Sequence, residues 1–244
     1  MFRQPCVTLA RGPMPSAPTV SWPKLVATGA YLVMWPVLQL WLSGDWRWVE
    51  GWFFGLSFVA LCTTCIGWLY RKDPALLAER YRKPGSGGQS RADKIIVYGL
   101  VIGFIAWIVL PALDRRFGWT PRLPPWVEAG GGVLLLGAAF FLFRSFSDNT
   151  FLSPLVRIQP ERRQRVVSTG VYGLVRHPMY LGASLMFVGG PLMLGSAWGL
   201  LVGLALVLLL MVRVGGEEKL LVRELEGYEA YRHKVRYRLV PRIW

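Results

Sequence analysis

The sequence predicts an all-α integral membrane protein, a single helical bundle that crosses the bilayer about six times. Hydrophobic residues make up 53% of its 244 positions and charged residues only 17%, with a mean hydropathy of +0.38. These values differ from those of ordinary soluble domains. The apolar residues also form long runs that only short polar connections separate, which predicts transmembrane helices.

Four apolar runs are each long enough for one crossing. They cover residues 25–42, 51–70, 95–113 and 126–143, close to the ~20 residues that span the hydrocarbon core. A fifth run, 179–212, contains no Asp, Glu, Lys or Arg and would form a single helix of roughly 51 Å, too long for one crossing. Glycine and proline interrupt it at 189–191 and 195–199. We therefore expect a helical hairpin with two short arms and a turn near Gly195 and Ser196.

The distribution of basic residues predicts the orientation. Of the 28 Lys and Arg residues, 24 lie before residue 25, in 71–94, in 144–176 or from 213 onward, and four lie in the other connections. By the positive-inside rule, six crossings place both termini and these basic segments in the cytoplasm. Most of the net charge of +14 then lies on the cytoplasmic face of the membrane, in loops close to anionic lipids. Because orientation and lipid attraction account for these basic residues, we expect no nucleic-acid partner.

The same pattern predicts three parts of the chain. Residues 1–24 contain several prolines but no apolar core with a cleavage site, so we expect a disordered cytoplasmic leader. Residues 25–143 are expected to form the N-terminal transmembrane helices. Residues 144–244 are expected to carry the functional region and to end in a cytoplasmic helical tail.

Several chemistries have no support in the sequence. Cys62 and Cys65 form a C-x-x-C inside an apolar run without a second metal-binding pair, so we expect small side chains in the membrane and no metal. Phosphate-binding glycine loops are missing. Glycine pairs at 51 and 55, 99 and 103, and 199 and 203 predict close helix packing.

A polar corner lies where the basic segment 144–176 meets the predicted hairpin. It reads Arg176-His177-Pro178-x-Tyr180-x-Gly182, and His177 is one of only two histidines. The proline prevents an ordinary helix from continuing through this point. A conformationally restricted polar corner at a membrane entrance predicts a functional site.

A second polar group follows the hairpin, with Arg213, Glu217 and Glu218 where the last crossing leaves the bilayer. Because the hairpin begins just after Tyr180 and ends just before Arg213, we expect its two feet to share one pocket. Each of these residues alone is also typical of a helix end or a membrane-interface anchor. The prediction therefore depends on their convergence.

The residue types of this pocket suit one ligand in particular. Glu217 can accept hydrogen bonds from ribose hydroxyls or pair with an ammonium group, and Arg176 and His177 can hold a carboxylate. Tyr172 and Tyr180 can contact an adenine ring or a cationic sulfonium. Together these chemistries fit S-adenosylmethionine.

The C-terminal sequence resembles the isoprenylcysteine carboxyl methyltransferase family and the related phospholipid methyltransferases. The resemblance rests on Gly170-x-Tyr172, the Arg-His-Pro-x-Tyr-x-Gly corner, the hairpin, Glu217-Glu218-x-x-Leu221, Tyr228-x-x-Tyr231 and Pro241. It covers about the last ninety residues. Upstream, segments 71–80 and 148–151 resemble bacterial members. The family implies a membrane methyltransferase that uses S-adenosylmethionine.

The resemblance also implies site residues. The corner, the Gly-x-Tyr and the short segment before it would line the cofactor pocket, and Arg213 and Glu217 would supply a substrate-side arginine and a cofactor-side carboxylate. The cofactor residues implied in this way are Gln159, Gln164, Arg165, Val166, Val167, Tyr172, Arg176, His177, Pro178, Met179, Tyr180 and Glu217. Gln164 stands where prenylcysteine enzymes usually carry a histidine, and this difference weakens the transfer of their substrate specificity.

We expect direct methyl transfer to a lipophilic acceptor that enters laterally from the membrane, either an isoprenylcysteine-like carboxylate or a lipid head group. A carboxylate acceptor needs no base, whereas an amine or thiol needs a proton acceptor such as Glu217, Glu218 or His177. Two alternatives remain open at this point. Sterol-type reductases, which use NADPH, share a similar C-terminal pattern, and a non-catalytic lipid-binding membrane protein is the other alternative.

Overall fold

The structure is a computed structural model that describes residues 20–82 and 91–244, and all regular elements in these two ranges are helical. The helices are α1 (Trp22–Ser43), α2 (Val49–Lys72), α3 (Pro74–Arg80), α4 (Arg91–Phe117), α5 (Pro125–Asp148), α6 (Pro178–Met193), α7 (Ala197–Glu224) and α8 (Tyr228–Lys234). Short 3₁₀ turns at Pro160–Arg162 and Gly170–Gly173 interrupt the long connection between α5 and α6. The predicted all-α class is confirmed.

Five of these helices, α1, α2, α4, α5 and α7, are long and apolar enough to cross a membrane. The sixth apolar helix, α6, has 16 residues and spans about 24 Å, less than the ~30 Å hydrocarbon core. Most of the predicted leader, residues 1–19, lies outside the described residues. Its last residues, Trp22 to Lys24, already form the first turn of α1.

The hairpin exists, but its arms differ from the prediction. The chain turns between α6 and α7 at 194–196, where Gly195 has a φ of +69°. The expectation of two short arms was wrong for α7, which continues without a break for 28 residues to Glu224. The expected interruption at 189–191 was also wrong, because Pro191 lies inside the continuous helix α6.

A tertiary contact explains how α6 tolerates Pro191. Proline has no amide hydrogen, so the carbonyl of Phe187, four residues earlier, loses its partner within the helix. The indole Nε1 of Trp107 on α4 donates to this buried carbonyl at 2.9 Å. A side chain from a neighbouring helix therefore replaces the missing backbone hydrogen bond.

We expect Trp107→Phe to destabilise the protein by ~1–3 kcal/mol, because it leaves the Phe187 carbonyl buried without a donor. Thermal unfolding of the detergent-purified protein measures the loss. In a Pro191→Ala background, the restored amide should make the same substitution less costly. Trp126→Phe, at an indole that is 76% exposed, is the control and should change little. Equal effects of Trp107→Phe in both backgrounds would disprove this account.

Small residues bring the helices close together, as the glycine pairs predicted. A Cβ at Gly55 would lie 2.4 Å from Pro36 on α1, and one at Gly103 would lie 2.6 Å from Leu206 on α7. Gly203 faces the same carbonyl that Trp107 binds, and an added Cβ there would lie 2.1 Å from its oxygen. Larger residues would force the helices apart.

The end of the bundle that carries the α6–α7 turn is held together by a buried carboxylate. Asp114 on α4 accepts hydrogen bonds through Oδ2 from Ser196 at 2.5 Å and from Thr120 at 2.6 Å. Ser196 is also the N-cap of α7 and accepts from the amide of Gly199 at 3.0 Å. These bonds tie the hairpin turn to α4. The other end of the bundle, called the basic end below, is formed by α3, the start of α4, residues 144–177 and residues 213–244.

Candidate active site

The basic end contains a cavity between the α5–α6 connection, the end of α7 and α8. It encloses about 810 Å³ of empty space, part of it open to solvent. Its walls combine polar residues of the loop with apolar residues of the helices. They are Asn149, Phe151, Leu152, Ser153, Leu155, Val156, Arg157, Gln164, Arg165, Val166, Val167, Tyr172, Arg176, His177, Pro178, Met179, Tyr180, Glu217, Leu220, Leu221, Leu225, Tyr228 and Tyr231.

Nearly all of the predicted site residues meet in this cavity. Of those that the sequence indicated, Gln159, Arg213 and Glu218 are outside its wall. The two feet of the hairpin therefore lie side by side, as expected from the positions of Tyr180 and Glu217.

The loop before the corner is positioned by a close backbone approach at Gly170. This residue has a φ of +60°, and a Cβ on it would lie 2.0 Å from the Asp148 carboxylate at the end of α5. The next amide, that of Val171, donates to the same Asp148 oxygen at 3.0 Å. Only glycine permits both the left-handed backbone and the contact. The Gly-x-Tyr of the sequence motif thus serves to dock the loop on α5.

The corner itself is fastened to the C-terminal tail. The amides of Arg176 and His177 donate to the carbonyls of Tyr237 and Arg238, each at 2.9 Å. Nη1 of Arg176 donates further to the carbonyls of Val235 and Arg236, at 2.8 and 2.7 Å. The tail beyond α8 is therefore held against the corner that lines the cavity.

Glu218 joins the corner, α7 and the tail in one buried ion-pair cluster. Its Oε1 accepts from Nε of Arg176 at 2.6 Å and lies 3.3 Å from Nε2 of His177. Its Oε2 accepts from Nε of Arg238 at 2.7 Å. Both carboxylate oxygens thus face cationic donors, which stabilise the ionised form. We refer to Arg176, His177, Glu218 and Arg238 as the latch.

The latch changes how two predicted residues are interpreted. Arg176 borders the cavity, but its Nε and Nη1 are directed to Glu218 and to tail carbonyls. Arg165 is exposed at the cavity wall, and its guanidinium has no ion pair within the described ranges. Of these two arginines, Arg165 is the better placed to meet a ligand carboxylate.

Glu217 faces the cavity although its neighbour Glu218 does not. Successive helical side chains differ by about 100° in direction, so α7 presents one carboxylate to the latch and the other to the cavity. Oε2 of Glu217 accepts a hydrogen bond of 2.7 Å from the phenol of Tyr180 across the hairpin. This bond aligns the carboxylate with the corner.

Three tyrosines form an aromatic wall. The Tyr231 phenol donates to the Tyr172 carbonyl at 2.7 Å, and the rings of Tyr228 and Tyr231 meet edge to face, with centroids 5.6 Å apart. Burial raises the pKa of all three phenols well above the ordinary value, so they remain neutral donors at physiological pH. Within the described part of the chain, the buried Oη of Tyr228 has no hydrogen-bond partner.

Gln159 has a local structural position. It is fully buried, and its amide donates to Oε1 of Gln164 at 2.8 Å while its side chain donates to the carbonyl of Phe151 at 2.7 Å. Arg162 donates to its side-chain oxygen at 3.1 Å. Gln159 thus shapes the loop that carries Gln164 and Arg165, whereas those two residues line the cavity.

Arg213 lies on the membrane side of the same region. Its Nε donates to Asp93 at the start of α4 at 3.0 Å, and its Nη2 donates to the carbonyl of Pro154 at 2.6 Å. It therefore connects α7 to α4 and to the loop without bordering the cavity. Its predicted substrate-side role stays a prediction.

The site prediction missed several wall residues. Asn149 and Phe151 stand just after α5, and Tyr228 and Tyr231 lie on α8. The sequence carried a signal for all four, because they belong to the segments that resemble the methyltransferase families. Leu220 and Leu225 had no such signal, since apolar residues near a membrane surface are common.

The fold and the cavity define a class of protein, a polytopic helical membrane protein with an enclosed polar site at one end of the bundle. Residues 128–226 match the family model described as phospholipid methyltransferase. The match covers about two fifths of the chain and includes the cavity wall from Asn149 to Leu225. It supports a membrane methyltransferase region, and S-adenosylmethionine is the methyl donor that such a region implies.

One curated protein is also similar. The Lamin-B receptor of Drosophila melanogaster is 26% identical over 108 residues, which are 43% of this chain. The match covers only 15% of the receptor's own length.

Proposed function

We propose that this protein is an integral membrane methyltransferase that transfers a methyl group from S-adenosylmethionine to a lipophilic acceptor. The observation that carries the proposal is the cavity at the basic end, where the corner at 176–180 meets Glu217 across the hairpin through a 2.7 Å bond from Tyr180. The match of residues 128–226 to phospholipid methyltransferases supports it.

The cavity residues fit the chemistry of this cofactor. The unpaired Tyr228 phenol is a buried donor that a polar ligand would satisfy, and the Glu217 carboxylate suits ribose hydroxyls or an ammonium group. Tyr172 and Tyr231 offer aromatic surface, and Arg165 offers a cation for the carboxylate. When bound, the cofactor would supply a methyl group on a cationic sulfur, which leaves as a neutral thioether when the acceptor atom bonds to the methyl carbon.

The protein's own contribution would be positioning and exclusion of water. The latch fastens the tail to the corner, and Leu220, Leu221 and Leu225 line the cavity from the end of α7. An enclosed site of this kind holds two reactants in line and strengthens its own electrostatic interactions. The geometry also narrows the choice of base for an amine or thiol acceptor. Both oxygens of Glu218 face cationic donors, which leaves Glu217 and His177 on the cavity wall.

The basic end is proposed to face the cytoplasm. It carries the connection at 144–177 and the tail from residue 213, in which basic residues are concentrated. A polar cofactor would enter from this side, and an acceptor would arrive through the membrane. Two acceptor classes remain within the proposal, an isoprenylcysteine-like carboxylate and a lipid head group.

The proposal is tested by calorimetric titration of the detergent-purified protein with S-adenosylmethionine and, separately, with NADPH. We expect S-adenosylmethionine to bind and NADPH not to bind. Binding of NADPH alone would replace the proposal with the reductase alternative. Binding of neither would favour a non-catalytic lipid-binding protein.

A further inference from the structure

A second cavity at the basic end is lined by a partly buried arginine. Arg80 is the last residue of α3, and its Nη1 is buried with no hydrogen-bond partner among residues 20–82 and 91–244. Its guanidinium carbon lies 5.2 Å from the centre of the Phe146 ring on α5. Burial lowers the pKa of this guanidinium, yet arginine remains charged in proteins. A buried charge without a partner is costly.

Within residues 20–82 and 91–244, no carboxylate forms an ion pair with Arg80. The adjacent carboxylate, Glu79, is taken by Arg157 at 2.9 Å and by Arg82 at 2.8 Å. The segments that the structure does not describe, 1–19 and 83–90, contain neither Asp nor Glu. A bound ligand is therefore the natural source of the missing negative charge.

The cavity around Arg80 is otherwise apolar and opens along the membrane-spanning helices. It encloses about 990 Å³, part of it open, and its wall comes from α1, α2, α3, α5 and α6. Another apolar cavity, of about 910 Å³, lies between α2 and α5. It shares Phe58, Leu61 and Met186 with the Arg80 cavity, and the two together form one groove. Along α2 the joint groove extends from Phe53 to Leu69, about 24 Å of helix. That length is most of the ~30 Å hydrocarbon core.

The charged end of this groove is next to the candidate active site. Leu152, which lines the candidate active site, packs in one apolar cluster with Leu77 and Phe146, which line the groove. An anion held at Arg80, whose guanidinium carbon lies 5.2 Å from the centre of the Phe146 ring, would thus lie close to the boundary between the groove and the candidate active site. This arrangement places an acceptor's polar group toward the proposed methyl donor and its chain in the membrane.

We propose that the groove binds an anionic amphiphile, with the anionic group on Nη1 of Arg80 and the hydrocarbon chain between α2 and α5. The apolar lining of the groove is the evidence for the hydrocarbon chain, and the arginine without a carboxylate partner is the evidence for the negative group. The further assignment of this amphiphile as the methyl acceptor rests on the proposed function. The anion itself can be a carboxylate or a lipid phosphate, since Arg80 would bind either.

The test compares three probes with the same chain: oleate, oleoyl lysophosphatidylethanolamine and oleylamine. Their binding to the full-length protein in dodecyl maltoside is measured by native mass spectrometry. We expect the two probes that carry an anionic group, the carboxylate of oleate and the phosphate of the zwitterionic lysophospholipid, to bind more tightly than oleylamine; these two are called the anionic probes below. Arg80→Gln should weaken the anionic probes by ~10-fold or more, the value of one hydrogen bond to a charged group, and should leave oleylamine unchanged.

Two matched variants keep the test sharp. Arg71→Gln makes the same change at an exposed site at the end of α2 and should leave all three affinities unchanged. Cys62→Phe fills the groove from α2 and should weaken all three probes by occupying the space of the chain. Wild-type affinity of the anionic probes for Arg80→Gln, or an equal loss with Arg71→Gln, would overturn the proposal.

The same preparations separate this inference from the proposed function. Calorimetry with S-adenosylmethionine should give equal affinity for the wild type and Arg80→Gln, while transfer of a labelled methyl group falls in the variant. The labelled product identifies the anion, since it forms from oleate or from the lysophospholipid. If the wild type does not bind S-adenosylmethionine but Arg80→Gln still loses the anionic probes, the proposed function fails and the lipid site remains.

Discussion

Glu217→Ala is expected to weaken the binding of S-adenosylmethionine by ~10- to 100-fold, because it removes a charged hydrogen-bond acceptor worth ~1.5–3 kcal/mol. The bundle should remain folded, since among the described residues Glu217 hydrogen-bonds only the Tyr180 phenol, and it faces a cavity rather than the packed core. Calorimetric titration gives the affinity, and thermal unfolding in the same detergent gives the stability. Glu217→Gln should fall between the wild type and the alanine variant, because it keeps an acceptor oxygen without the charge.

Glu224→Ala is the matched control for this substitution. Glu224 is the last residue of the same helix and pairs with the exposed Arg223, and it does not border the cavity. Its replacement should leave the affinity unchanged. If Glu217→Ala binds S-adenosylmethionine as tightly as the wild type does, Glu217 is not part of the cofactor site. If Glu224→Ala loses as much affinity as Glu217→Ala, the loss is caused by the change in net charge and not by a contact with the cofactor.

Glu218→Gln is expected to destabilise the protein by ~3–5 kcal/mol, the cost of breaking a buried ion pair from one side. The substitution leaves Arg176 buried without its carboxylate, and it also weakens the contact with Arg238. Unfolding in a denaturant, followed by tryptophan fluorescence, measures the loss. Because the latch fastens the tail, trypsin should also cleave the tail of the variant near Arg232 and Lys234 faster than that of the wild type.

Glu229→Gln provides the control for the latch. Glu229 pairs with Arg232 and His233 on the surface of α8, where all three side chains are well exposed. Surface pairs contribute ~0–1 kcal/mol, so this variant should unfold almost as the wild type does. A double replacement of Arg176 and Glu218 by methionine should cost less than Glu218→Gln, since the buried charge of Arg176 is removed as well and only the partly exposed Arg238 loses its carboxylate. If Glu218→Gln and Glu229→Gln were equally stable, the latch would have no structural role.

The sequence alone was sufficient to predict the helices and to predict that the two ends of the α6–α7 hairpin lie close together. Apolar runs of crossing length predict helices because the bilayer leaves the backbone no other partner than itself. The hairpin then brings Tyr180 and Glu217 together, since a chain that crosses and returns must end near its starting point. Eleven of the predicted site residues line one cavity for that reason.

Local patterns could not predict what depends on a distant partner. Pro191 was interpreted as a break, because the sequence does not reveal that Trp107, 80 positions away from Phe187, supplies the missing hydrogen bond. Arg176 was interpreted as a ligand contact, although much of its bonding goes to Glu218 and the tail. The groove beside Arg80 was missed, since its walls come from five separate helices.

The sequence by itself determined the all-α membrane class, the order of the crossings and the residue types of the polar corner, because hydropathy and chain reversal are properties of consecutive residues. The tertiary structure decided which charges are satisfied within the protein. Glu218 and Arg176 neutralise each other in the latch, whereas Glu217 and Arg80 face cavities. The physical reason is that a charged side chain pairs with residues that are close in space, and tertiary packing determines which residues those are.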